Sequence, residues 1–189
     1  PNHSPTGEGI ENQVITGTYG ADTLKGGMGD DVIDGLEGAD NIDGQAGADT
    51  IDGGAGNDTI NGSFGDDSLL GGSGNDRITD DQGSNVLDGG EGNDTLTSKS
   101  LSGNHTLKGG SGADNLSATG KNVVLEGGTE NDYLYASGAL YSNGETSYIA
   151  DGKATLDGGA GRDEIDVRDY NASTINGGTG DDYIEVYNS

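Results

Sequence analysis

The chain of 189 residues carries eight Lys plus Arg against 34 Asp plus Glu, a formal net charge of -26. That balance excludes the phosphate backbone of nucleic acid and an anionic membrane surface as direct partners, and it makes a divalent cation the natural counterion. Cysteine is absent, which excludes disulfides and thiolate chemistry, and the length suits one domain.

Leu, Ile, Val and Phe make up 32 of the 189 residues, a fraction at which a highly charged chain ordinarily stays unfolded. No apolar run approaches the roughly 18 residues of a membrane span, and the opening Pro1 to Pro5 has no basic-then-apolar leader pattern. Residues 1–16 read as a lead whose first dozen are expected to be mobile, with one capping strand, Val14-Ile15-Thr16. From there the chain repeats about every nine residues. Leu or Ile holds the eighth position at Leu24, Ile33, Ile42, Ile51, Ile60, Leu69, Ile78, Leu87, Leu96, Leu107, Leu116, Leu125, Leu134, Leu156, Ile165, Ile175 and Ile184. A fixed period of this kind marks units that bury a face only by stacking. Positions seven to nine, such as Thr59-Ile60-Asn61, predict a short strand with its middle side chain inward. The six residues before it predict a turn, in which glycine reaches positive φ and lets carbonyls crowd a bound ion.

Twelve turns end in aspartate, as in Gly53-Gly54-Ala55-Gly56-Asn57-Asp58 and Gly71-Gly72-Ser73-Gly74-Asn75-Asp76. On these residues the chain resembles the RTX family of calcium-binding nonapeptide repeats, Gly-Gly-x-Gly-x-Asp-x-aliphatic-x, over residues 17 to 185. The resemblance implies an all-β fold, a right-handed parallel β-roll (a two-sided β-solenoid). Two nonapeptides form one coil of about 18 residues, and alternate repeats stack on opposite sides.

Sorted by side, the turns differ. One column starts at Gly17, Gly35, Gly53, Gly71, Gly89, Gly109, Gly127, Gly158 and Gly177, and ends in Asp22, Asp40, Asp58, Asp76, Asp94, Asp114, Asp132, Asp163 and Asp182. The other starts at Gly26, Gly44 and Gly62 with Asp31, Asp49 and Asp67, after which its sixth positions become Asn85, His105, Val123, Ala154 and Ser173. The expectation is a lead over 1–16, a regular roll over 17–79 with calcium turns on both sides, and an irregular roll over 80–189 with calcium turns mainly on one. Along the intact column the aspartates lie 18 apart to Asp94 and then 20, 18, 31 and 19 apart. The longest of these intervals predicts an inserted excursion of roughly 13 residues, near 136–148, looping out from one face of the stack.

Calcium takes six to eight oxygens, which two stacked turns supply and one cannot. By the resemblance, the lower turn gives carbonyls from positions two and four, the upper from one and three, and each gives its aspartate. The carbonyls implied are those of Gly26, Gly35, Gly44, Gly53, Gly71 and Gly89 at position one and of Gly27, Gly54, Gly72 and Gly90 at position two. Glu37, Ala46, Ala55, Ser73 and Glu91 serve at position three, and Gly29, Gly47, Gly56, Gly74 and Gly92 at position four. Up to about ten calcium ions follow. Without metal the chain is expected to be disordered, and with it folded.

The resemblance further implies a secreted or cell-surface protein of a Gram-negative bacterium, exported by type I secretion and folding on calcium outside the cell, with a structural role beside the rest of a parent protein. Tyr183 to Ser189 show no recognisable secretion signal. Adhesins and surface-layer proteins carry such blocks, as do toxins and several enzymes. No enzyme activity is expected of the segment: His3 and His105 have no triad or zinc arrangement, and His105 reads as an exposed turn residue. The rival reading is an alginate-type polysaccharide-binding or polysaccharide-modifying module in the irregular half. There Tyr133, Tyr135, Tyr141, Tyr148, Tyr170, Tyr183 and Tyr187 gather, with Lys99, Lys108, Lys121, Lys153, Arg162 and Arg168. The plainer account has the tyrosines covering the excursion and capping the roll, and fewer calcium sites requiring fewer carboxylates. Glu130, at a position-four glycine's place, is expected to strain or empty its site rather than add a ligand.

Overall fold

The structure, a computed structural model, describes residues 11–142, 145–148 and 152–187, with the backbone alone between 139 and 148. Every element among them is a strand, and sixteen strands form one sheet with parallel pairing. The period sets the register. Leu24 pairs with Ile42, Ile42 with Ile60, Ile60 with Ile78 and Ile78 with Leu96, and the ladder continues through Leu116, Leu134, Ile165 and Ile184. A second ladder joins Ile15, Ile33, Ile51, Leu69, Leu87, Leu107, Leu125, Leu156 and Ile175. The chain is a parallel β-solenoid of about 18 residues per coil, the separation at which the Asp58 amide meets the Asp76 carboxylate.

Strands run longer than the expected three residues. Thr50–Ala55, for instance, continues through the first three positions of the following turn, where Gly54 pairs with Gly72 and Ala55 with Ser73. The turn proper is thus the last three positions. Backbone bonds hold even the corners, since the Gly56 amide donates to the Ser73 carbonyl at 2.7 Å.

The core is a double file of aliphatic side chains between the two faces. From Ile15 through Ile165 every position-eight residue is buried, at 3% exposure or less, each contributing about 1.5 to 3 kcal/mol. The file opens at the last coil, where Ile184 is 44% exposed. Val14–Thr16 forms a strand that pairs with Val32–Asp34. Most of the lead expected to be mobile, residues 1–10, lies outside the described residues.

The excursion starts later than its predicted bound. Ala136 and Ser137 still pair with Val167 and Arg168 and are buried in the roll. Their small side chains keep the coil in register. Beyond Gly138 the chain leaves as an antiparallel hairpin of Ala139–Ser142 with Glu145–Tyr148, and it rejoins at Lys153, which pairs with Asn122.

Candidate metal sites

From Asp40 onward, each turn of the first column ends in an aspartate held in a fixed pose by the coil before it. The Asp40 amide donates to Asp58 Oδ1 at 2.7 Å, Asp58 to Asp76 at 2.8 Å, Asp76 to Asp94 at 2.8 Å and Asp94 to Asp114 at 2.7 Å. The ladder begins with the Asp22 amide on Asp40 and runs on from Asp114 through Asp132 and Asp163 to Asp182. In the second column the Gln13 amide binds Asp31, Asp31 binds Asp49 and Asp49 binds Asp67 in the same way. One carboxylate oxygen per turn is therefore structural.

The other oxygen has no partner. Oδ2 is buried and without a hydrogen bond in Asp31, Asp40, Asp49, Asp58, Asp67, Asp76, Asp94, Asp114, Asp132 and Asp163. Only the terminal Asp22 and Asp182 differ among the predicted twelve. Both are half-buried, and Asp22 Oδ2 accepts from Thr18 at its amide and hydroxyl. Stacked, buried and uncompensated carboxylates are costly unless a cation neutralises them. Burial, reinforced by neighbouring carboxylates, pushes Asp49, Asp76 and Asp132 up to about 6 and Asp114 up to about 7.

Position one explains where a cation fits. At Gly53 the point a Cβ would occupy lies 2.7 Å from Asp58 Oδ2 and 2.7 Å from the Gly71 carbonyl oxygen of the next coil. At Gly127 the same pair, Asp132 Oδ2 and the Gly158 carbonyl, stands at 2.5 Å. Two oxygens thus converge on a space that any side chain would fill. Hard oxygen donors with no nitrogen or sulfur among them suit calcium.

The carbonyls at positions one to four lie at these same corners. Those of Gly35, Gly44, Gly53, Gly71 and Gly89 approach the aspartate cradles of the preceding coil. Gly26 differs, its carbonyl accepting from the Gln13 side chain at 2.8 Å. Position-three carbonyls of Ala55, Ser73 and Glu91 each accept one amide and keep a second lone pair. At position four the carbonyls of Gly29, Gly47, Gly56, Gly74 and Gly92 press on the same position of the following coil, so a Cβ there would clash with backbone. Glu130 occupies that position at φ 75°. Its carboxylate accepts from the Gly112 amide at 2.8 Å and the Thr129 hydroxyl at 2.6 Å, which ties down the preceding coil.

In the second column, side chains replace the cradle one step at a time. Position one changes from Gly26, Gly44 and Gly62 to Asp80, Ser98, Ala118, Ala136 and Val167, joined by the ladder from Asp80 onward. Where a Cβ appears at position one, the aspartate at position six is gone. Asn85 donates to Ser98 Oγ at 3.3 Å, Ser98 Oγ stands 2.9 Å from His105 Nδ1, and His105 Nε2 stands 3.3 Å from the Ser100 carbonyl. His105 is buried, at 1% exposure, not the exposed turn residue expected; burial also lowers its pKa. Further along, Ala118 and Val123 pack the corner with hydrocarbon, and Tyr170 plugs it with its hydroxyl 3.0 Å from the Gly120 and Ser137 carbonyls. Residue by residue, the signal was the loss of glycine at position one. Asp80, fully buried, its Oδ2 unpartnered and its pKa pushed up to about 8 by burial and by Asp67, is the residue that sequence reasoning missed.

A stack of parallel coils whose corners carry glycine cradles and buried, uncompensated aspartates defines a cation-binding β-solenoid. The family described as RTX calcium-binding nonapeptide repeat (4 copies) matches residues 9–42, 34–69, 61–96, 108–138, 149–168 and 171–186. The chain belongs to that family: it is a calcium-binding RTX repeat β-roll. Comparison with the curated proteins finds no match.

Proposed function

We propose that the segment is a calcium-conditioned scaffold of a secreted or cell-surface bacterial protein, unfolded at low calcium, where it stays threadable for type I export, and ordered by calcium outside. The single observation behind this is the run of buried aspartate oxygens without partners, from Asp40 to Asp163 along one corner and from Asp31 to Asp67 along the other. In this reading Asp22, Asp40, Asp58, Asp76, Asp94, Asp114, Asp132, Asp163 and Asp182 form one file of ligands and Asp31, Asp49 and Asp67 the other. Interior carboxylates are shared by two ions, and the total approaches ten. Calcium bridges both corners over 17–79 and one corner over 80–189, where the side chains above close the other. No step of chemistry is assigned to the segment, whose role is to hold and present the rest of its parent protein.

Far-UV circular dichroism across a calcium titration tests this reading. The β signal is expected to rise cooperatively with calcium and to collapse in excess EGTA. A complete β signal in EGTA at neutral pH would sink it. The rival polysaccharide module gains no support from its tyrosines. The Arg168 guanidinium lies 5.7 Å from the Tyr135 ring centre and 5.0 Å from that of Tyr187, and it pairs with Asp166, so two of these tyrosines already have a partner on their own face.

A further inference from the structure

The second file of aspartates ends at Asp67 by the repeat pattern, because the next turn, Asp80-Asp81-Gln82-Gly83-Ser84-Asn85, has Asn85 at position six. On that count the space between the two turns lacks its second carboxylate. The structure supplies one from another position. The point a Cβ of Gly62 would occupy is met by Asp80 Oδ2 and, at 2.6 Å, by Asp67 Oδ2. Asp80 stands at position one of its turn, and its carboxylate takes the place that the position-one carbonyl of the next coil takes at Gly53 and Gly71.

Both oxygens that meet there are orphaned. Asp80 is 0% exposed and Asp67 2%, and neither Oδ2 has a hydrogen-bond partner. Their other oxygens are occupied: Asp80 Oδ1 accepts the Gln82 amide at 3.1 Å and Asp67 Oδ1 the Asp49 amide at 2.8 Å. Asn85 has only half of an aspartate's function. Its Oδ1 accepts the Asp67 amide at 3.1 Å, as aspartates do elsewhere, while its Nδ2 donates to the Gln82 carbonyl at 2.8 Å and to Ser98. The amide nitrogen faces the far side and closes the corner against any further ion.

We infer that Asp67 and Asp80 hold one more divalent cation, of the calcium class, between the turns 62–67 and 80–85, and that this site terminates the second file. The role of a repeat aspartate is here divided between two side chains. Asn85 fastens the preceding coil and Asp80 supplies the charge. Glycine at Gly62 leaves the space, and two buried carboxylates give the ion hard oxygen ligands of opposite charge. The inference rests on the calcium reading above and adds a site that the repeat pattern leaves out.

Counting bound calcium on the whole 189-residue chain, by equilibrium dialysis at saturating calcium and neutral pH, tests it. Asp80→Gly restores the repeat's glycine and is expected to bind one ion fewer, with the dichroism of the loaded roll kept. Asp80→Gly combined with Asn85→Asp rebuilds a regular turn and is expected to regain that ion. Asp81→Asn, at the exposed neighbour, leaves the count unchanged. An unchanged count in Asp80→Gly, when the parent chain binds calcium normally, overturns the inference. A parent chain that binds no calcium overturns the underlying reading instead, so the two failures are distinct. If Asp80→Gly does not fold at saturating calcium, the double variant decides: a folded double variant with the parent's count supports the site, and one with a lower count overturns it.

Discussion

Stripping calcium at neutral pH is expected to unfold the roll, and acidifying the stripped chain to restore part of it. The structure sets the size of the effect. Asp49, Asp76 and Asp132 titrate at about 6 and Asp114 at about 7, against 3.8 for a free carboxyl, burial being the main cause. Each unit corresponds to about 1.4 kcal/mol. Ionising the first three in the metal-free fold therefore costs about 3 kcal/mol each and Asp114 about 4. Asp114 and Asp132 share part of their repulsion, so the four together cost on the order of 10 kcal/mol, comparable to the whole stability of an ordinary domain. The folded-state values lie above the unfolded ones. The stability these groups contribute is thus complete below about pH 4 and is lost as pH rises through 6 and 7. With calcium bound the direction reverses, because protons compete for the same oxygens: the calcium midpoint rises as pH falls through 7 to 6. Far-UV dichroism in calcium-free buffer at pH 7.5, 6 and 5, beside calcium titrations at the same values, measures both. A metal-free chain as β-rich at pH 7.5 as the loaded one, or one that gains nothing on acidification, would refute the assignment of this cost to the aspartates.

Asp58→Asn preserves the bond to the Asp40 amide but removes a charge shared by two ions. At calcium tenfold above the site constants this is expected to remove about 3 kcal/mol, read as a lower urea midpoint and a calcium count reduced by up to two. Ile60→Ala, at a fully buried rung between Ile42 and Ile78, is expected to cost about 2 to 5 kcal/mol in calcium-saturated urea unfolding. Ile184→Ala at the open end is expected to cost under about 1 kcal/mol in the same assay. Gly56→Ala forces a side chain to φ 140° and onto the Gly38 carbonyl. A loss above about 2 kcal/mol is expected there, whereas Gly20→Ala, with nothing within 4 Å, is expected to stay within about 0.5 kcal/mol. Paired thermal melts at fixed calcium compare the two.

The nine-residue period carried both aliphatic ladders, the alternation of sides and the intact column into the sequence reading, because stacking turns a linear repeat into a register. It concealed what depends on a partner in another coil, far along the chain. Nothing along the chain singles out Asp80, and only the stack shows that it faces Gly62 and Asp67 from the end of the strand Arg77–Asp80. His105 read as surface because a histidine in a turn is usually wet, yet it is buried against Ser98, which Asn85 bonds in turn. Ala136 was placed in the excursion because only the length of the insertion is visible in sequence, not its point of departure. Glu130 adopts the positive φ its position demands, and its bond to Gly112 has no signature along the chain.

The corner that closes with Ser98, His105, Val123 and Tyr170 has a consequence for how order spreads. In a solenoid each coil touches only its neighbours, so structure starts wherever a coil is cheapest to form and propagates from there. If calcium fills the corners as proposed, coils between residues 98 and 173 need ions along one edge only, so order is expected to appear there first in a calcium titration and to spread toward the N-terminus as both edges of the earlier coils fill.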